Sequence, residues 1–140
     1  VAIDGDVSGA IAASMPSSGI DIYMGSGGAR EGILTAAALR CADGQMQARL
    51  LFRGDDDRAL TRRMGITDWS RKYTLAEMVR GEVMFAVTGV TDGAILRGVR
   101  RIPGGAITHS LVMRSISGTI RYIEAHHNLV RKAELHSEKA

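Results

Sequence analysis

The chain has 140 residues and a mass of 15.0 kDa, enough for one modest core but not for two domains that each bury their own. At 45% hydrophobic and 24% charged it sits near the globular average, which excludes a disordered tail or a collagen-like repeat. Its net charge of +3 comes from Lys and Arg scattered among acids, and only 4% of residues are aromatic, so neither a basic block nor a row of stacking platforms points to nucleic acid.

The chain opens on Val1-Ala2-Ile3, an apolar, β-prone run with no polar lead-in, as in a stretch cut from a larger protein. That run reads as a strand end, Asp4 to Asp6 as a loop, and Val7 to Met15 as a helix broken by Pro16 to Gly19. Ile20 to Met24 is a second expected strand, running into Gly25-Ser26-Gly27-Gly28. A helix over Glu31 to Ala42 follows, with Ile33, Leu34, Ala37, Ala38 and Cys41 at spacings of three and four. Gln47 to Arg53 reads as a third strand, and Asp55-Asp56-Asp57 as the acidic first turn of a helix reaching Met64. Thr74 opens Thr-Leu-Ala-Glu, a capping box for a short helix over Leu75 to Val79. Glu82 to Val87 is an apolar run expected of a strand covered on both faces. Thr108 to Arg114 and Thr119 to His127 read as an antiparallel hairpin, and the charged tail from Arg131 to Ala140 as frayed. The expected fold class is therefore α/β: a layered sandwich with a mixed, largely parallel sheet and a C-terminal antiparallel hairpin.

No apolar run approaches the roughly 18 residues that cross a bilayer, and no basic stretch followed by an apolar one stands at the N-terminus, so neither membrane nor export is expected. The lone Cys41 rules out an intrachain disulfide and a cysteine-based zinc site, which favours a reducing, cytoplasmic setting.

Chemistry concentrates at the two strand–loop–helix units. In open α/β sheets ligands bind beyond the carboxyl ends of strands, where both Asp4-Gly5-Asp6 and Gly25 to Glu31 fall. A glycine loop lets backbone approach a ligand, and the helix after it presents free N–H groups that stabilise an anion such as phosphate. The dinucleotide pattern G-x-G-x-x-G fails at Arg30, and no Gly-Lys-Ser/Thr follows for a P-loop. Glu31 either caps its helix or coordinates a divalent cation. Asp4 and Asp6, two apart around Gly5, either turn both carboxylates toward one ligand or leave Asp6 as a simple N-cap. Three carboxylates at Asp55 to Asp57 point in different directions on a helix and suit capping better than metal binding. His126 and His127 face opposite sides of a strand and suit a half-buried polar role. His109 and His136 have no catalytic pattern around them, and no G-x-S-x-G elbow exists. Thr88 to Gly93 is either a plain turn or a further wall of a site, and Arg97, Arg100 and Arg101 either bind phosphate or form a solvated helix face.

Taken in order, Asp4-Gly5-Asp6-Val7, Gly25-Ser26-Gly27-Gly28-Ala29-Arg30-Glu31-Gly32 and Ala86-Val87-Thr88-Gly89-Val90-Thr91-Asp92-Gly93 closely resemble the class II, GlpX-type fructose-1,6-bisphosphatases, and the similarity continues through the hairpin to His127. Arg30 stands where proline is common in that family. The resemblance implies the C-terminal part of a metal-dependent sugar phosphatase that removes the 1-phosphate of fructose 1,6-bisphosphate in gluconeogenesis, some relatives also accepting sedoheptulose 1,7-bisphosphate. It assigns Glu31 to a metal ligand, and Asp4, Gly5, Asp6 and Gly28 to substrate binding, with Mg²⁺ or Mn²⁺ as the ion. It further implies one C-terminal α/β domain over residues 1–140, with an N-terminal half that supplies the other metal carboxylates, and a homo-oligomeric enzyme. Residues 1–140 alone are expected to be inactive. A noncatalytic sugar-phosphate-binding or regulatory module, and a nucleotide-binding α/β domain, are the competing readings.

Overall fold

A computed structural model describes residues 6–132, Asp6 by its backbone alone. Helix α1 (Asp6–Ala13) ends ahead of Pro16, after which a single 3-10 turn (Pro16–Ser18) closes on Gly19 in the left-handed region at φ 67°. Helix α2 (Ala29–Cys41) packs against α1. The buried stripe of α2 is Thr35, Ala36, Ala38, Leu39 and Cys41, so the expected stripe is shifted: Ile33 and Leu34 lie exposed. Ala38 and Cys41 of this stripe share one core cluster with Ile11 of α1.

The third expected strand shrinks to β1 (Gln47–Ala48), which pairs antiparallel with β2 (Tyr73–Thr74). Between them lies α3 (Asp55–Arg63), and after them α4 (Leu75–Met78). The capping box forms as expected: the Thr74 backbone N–H donates to Glu77 Oε2 at 2.8 Å and the Thr74 hydroxyl to the same oxygen at 2.9 Å. Asp57 accepts the Arg53 N–H at 2.9 Å, which bears out a capping role within the Asp55 to Asp57 run.

The main sheet is built on β5 (Gly105–Arg114). Strand β6 (Thr119–Asn128) pairs along its whole length, from Arg114↔Thr119 to Gly105↔Asn128, as the expected hairpin. The other edge of β5 is shared in tandem: β3 (Met84–Thr88) pairs with Ser110 to Arg114, and β4 (Arg100–Ile102) with Gly105 to Ile107. Arg100 and Arg101 are therefore on a strand, not on a helix face. Every pairing among the described residues is antiparallel, giving an α/β chain with two antiparallel sheets. Of the strands expected to pair in parallel, Val1 to Ile3 lies outside the described residues. Ile20 to Met24 runs without regular structure and joins no ladder there, with Ile22 72% and Met24 84% exposed. The tail from residue 133 onward also lies outside the described residues.

One core forms where the helices meet the sheet: Ile11 of α1, Ala38 and Cys41 of α2, Phe85 of β3, and Leu111 and Met113 of β5. Full burial of side chains such as Ile11 and Leu111 contributes on the order of 1.5–3 kcal/mol each. The expectation that β3 is covered on both faces needs correction. Phe85 is 8% exposed and Met84 73%, because α1 and α2 supply a layer on one side of the sheet and no described helix supplies one on the other.

Candidate functional site

The N-terminus of α2 is the best-built feature at the expected site. Gly28 is its N-cap, in extended backbone at φ −68° and ψ 155°, and Gly32 N–H closes the first helical hydrogen bond onto Gly28 O at 3.0 Å. With no side chain at the cap, the first-turn N–H groups have no capping acceptor from residue 28. Glu31, three residues on, folds back so that its Oε2 occupies the space a β-carbon on Gly28 would need, its Cδ lying 3.2 Å from that point. Glycine at 28 leaves room for this close approach of the Glu31 carboxylate; its φ is an ordinary one. The exposed Glu31 carboxylate has no hydrogen bond or ion pair among the described residues. Its backbone carbonyl accepts the Thr35 hydroxyl at 2.8 Å, which tightens the first turn beneath it.

The glycine loop is tied to α1 by Tyr23. A β-carbon on Gly9, inside α1, would meet Tyr23 Cδ2 at 2.9 Å, and one on Gly25 would meet Tyr23 Oη at 3.1 Å. The ring therefore lies between the first half of α1 and the start of the loop that feeds α2. Sequence reading gave Tyr23 no role; its signal was a lone aromatic within three residues of a glycine run. Of the other predicted site residues, Asp4 and Gly5 lie outside the described residues, and Asp6 is the first residue of α1 with its side chain not described.

The remaining candidates make contacts within the fold. Asp92 Oδ1 accepts Gly98 N–H at 2.8 Å and Val99 N–H reaches Val90 O at 3.1 Å, so the Thr88 to Gly93 segment enters a self-closed loop. His126 and His127 do face opposite sides of β6. His126 Nε2 lies 2.9 Å from Glu124 Oε1, and His127 Nε2 lies 2.9 Å from Thr108 Oγ1. His109, the cross-strand neighbour of Glu124, sets Nε2 3.0 Å from its other oxygen. Hydrogen bonds from His126 and then His109 hold the Glu124 carboxyl below its usual range. A cavity of about 230 Å³ beside this cluster is lined by Leu96, Arg97, His109, Tyr122 and Glu124 among others, and includes neither Gly28 nor Glu31. The pairing register that unites His109, Glu124 and His126 was not readable from the sequence.

The donor set also answers whether the described residues fit a divalent cation. Glu31 is one well-placed carboxylate, but among the described residues no three His, Cys, Asp or Glu side chains gather to hold a metal ion. Those residues do not by themselves make a cation site.

The glycine loop of this α/β chain thus lies against one helix and opens a second, with a carboxylate folded over its cap. The chain belongs to the family of bacterial fructose-1,6-bisphosphatases that are glpX-encoded, which it matches over residues 1–127. Proteins named D-fructose 1,6-bisphosphatase class 2/sedoheptulose 1,7-bisphosphatase, from Synechococcus sp. strains JA-3-3Ab and JA-2-3B'a(2-13) and from Crocosphaera subtropica, are each 39% identical to it over 137 aligned residues. Each alignment takes in 89% of this chain and 40% of the relative, so the chain spans well under half the length of the curated relatives it matches.

Proposed function

We propose that the chain is the C-terminal α/β portion of a metal-dependent sugar bisphosphatase that hydrolyses the 1-phosphate of fructose 1,6-bisphosphate to fructose 6-phosphate, and accepts sedoheptulose 1,7-bisphosphate as a second substrate. The observation that supports this most is the family match across residues 1–127, together with the Glu31 carboxylate standing free over Gly28 at the start of α2. In this reading the first-turn N–H groups of α2 hold phosphoryl oxygens, and Gly28 lets the ligand approach the backbone. Asp4 and Asp6 accept hydrogen bonds from sugar hydroxyls, with Gly5 allowing both to turn inward. Glu31 contributes one carboxylate toward Mg²⁺ or Mn²⁺, and the remaining ligands come from the N-terminal half of the same fold, outside residues 1–140. When bound, the cation would neutralise phosphoryl charge and activate water. The layered sandwich with a largely parallel sheet, a homo-oligomer and a cytoplasmic, gluconeogenic role belong to the same proposal. No helix among the described residues is long and apolar enough to cross a membrane.

The test is a chimaera in which this chain replaces the matching segment of the Synechococcus JA-3-3Ab relative. It should release phosphate from fructose 1,6-bisphosphate with Mn²⁺, whereas the isolated 140-residue chain should show no turnover. Glu31→Gln in the chimaera should lower the metal-dependent rate at least a hundredfold with the fold retained; a noncatalytic binding module would keep its sugar-phosphate affinity and show no such loss. Phosphate release by the isolated chain, or a folded chimaera without turnover, would overturn the proposal.

A further inference from the structure

Tyr23 stands apart from the chain on either side of it. Every residue from Asp21 to Gly28 except Tyr23 is exposed, the apolar Ile22 and Met24 included, whereas Tyr23 is half-buried. Its two edges meet two different elements. On one edge, the point that a β-carbon on Gly9 would occupy lies 2.5 Å from Cε2, 2.9 Å from Cδ2 and 3.2 Å from Cζ. On the other, the corresponding point on Gly25 lies 3.1 Å from Oη and 3.4 Å from Cε1. Gly9 is buried within α1, so the ring rests on bare helix backbone there, and a β-carbon at 9 could be placed only by moving the ring. Glycine is a poor residue for a helix interior, and here it leaves the room that this contact uses.

The ring also lies between the two arms of the candidate site. Gly9 is three residues from Asp6, about one helical turn, so the two share a face of α1. Gly25 is three residues from the Gly28 cap, at most about 11 Å of extended chain. One aromatic side chain thus spans from the first turns of α1 to the loop that delivers the α2 cap. The approach of Glu31 to Gly28, by contrast, is made within α2 and its own cap.

We propose that Tyr23 is a positioning residue for the sugar: without touching the ligand, its ring fixes how far the start of α1, with Asp6, stands from the glycine loop that ends at Gly28. The proposal rests on the reading of Asp6 and Gly28 as substrate-binding residues of a bisphosphatase. Removing the ring loosens that spacing and leaves the α2 cap and Glu31 as they are, so sugar binding weakens while the metal requirement and the chemical step hold. A ring that only stabilised the fold would change the amount of active protein and leave KM alone.

Two measurements test this. In thermal melts, Gly9→Ala alone should lower Tm by about 4 °C or more, because the new methyl overpacks against the ring. In a Tyr23→Ala background the same change should raise Tm by about 3 °C, because the space is empty and alanine is the better helix former. In the Synechococcus chimaera, Tyr23→Ala should raise KM for fructose 1,6-bisphosphate at least tenfold, with kcat and the Mn²⁺ concentration for half-maximal rate within twofold of the native chimaera. Tyr23→Phe, which keeps the ring, should recover most of that loss. If Tyr23→Ala does not fold, Gly9→Ala, which pushes the ring off α1, carries the same kinetic test. An unchanged KM in the folded variant, a metal requirement that rises along with KM, or a Gly9→Ala effect of the same sign in both backgrounds would overturn the proposal. Turnover with an unmoved KM would leave the bisphosphatase reading standing. A folded native chimaera without turnover would sink that reading, and calorimetric binding of fructose 1,6-bisphosphate, weakened tenfold by Tyr23→Ala or not, would then decide the role of the ring; no binding at all would overturn both.

Discussion

Gly28→Ala separates the role of the α2 cap in folding from its role in binding. The added methyl falls on Glu31 Oε2, so the carboxylate must swing away, but the clash is with the free end of a flexible side chain and not with backbone. The backbone at φ −68° and ψ 155° suits alanine without strain. Replacing glycine by alanine at an N-cap costs roughly 1 kcal/mol. Losing the carboxylate from the first turn costs about 0.5 kcal/mol. The stiffer unfolded chain offsets about 0.4–1 kcal/mol of this. The net destabilisation is about 0.5–1 kcal/mol, or a fall in Tm of no more than about 4 °C for a chain of this size. In the chimaera the same substitution should raise the Mn²⁺ concentration needed for half-maximal phosphate release at least tenfold, because Glu31 is no longer held over the cap. Thermal melts read the first quantity and metal titration of the initial rate reads the second. A fall in Tm of 10 °C or more, or an unchanged metal requirement, would refute the assignment of Gly28 and Glu31 to the site.

Leu111→Ala should cost far more: its side chain on β5 is fully buried in the core cluster with Ile11, Ala38 and Cys41 of the helices, so truncation should cost about 2–5 kcal/mol, read as a shift of the urea midpoint. Glu77 is held at about 2 by the Thr74 backbone N–H, the Arg71 guanidinium and the Thr74 hydroxyl. A carboxyl depressed in the folded state contributes stability that is fully present above its unfolded value near 4.5 and is lost as pH falls toward 2. Melts between pH 5 and pH 2.5 should therefore fall less steeply for Glu77→Gln than for the native chain. Burial pushes the Cys41 thiol up, and its Sγ donates to Val83 O at 3.6 Å, so iodoacetamide at pH 8 should label it only after unfolding; rapid labelling of the folded chain would contradict its place in the core.

Local signals in the sequence settled local structure. The Thr74 to Glu77 capping box, the acidic first turn at Asp55, the stop at Pro16 and the hairpin flanking Gly118 each depend on residues within a few positions of one another, and each appears where expected. The glycine run before α2 and the carboxylate at Glu31 were legible for the same reason, as was the family they share. Periodicity was less informative for α2. Ile33 and Leu34 fit an apolar stripe as well as Thr35 and Ala36 do, yet only the latter pair is buried in the packed fold.

What the sequence by itself determined about this protein is the set of short-range devices that start, stop and cap its elements, and the motif order that marks its family. The tertiary structure alone decided the strand partners, the seating of Tyr23 against Gly9 and Gly25, the union of His109, Glu124 and His126, and the open face of β3. The widest of these pairings, Met84↔Arg114, joins residues 30 positions apart. The apolar run Val83 to Val87 is compatible with burial on either face, so its local composition cannot record which face receives a helix. That choice belongs to whatever packs against the strand once the chain has folded.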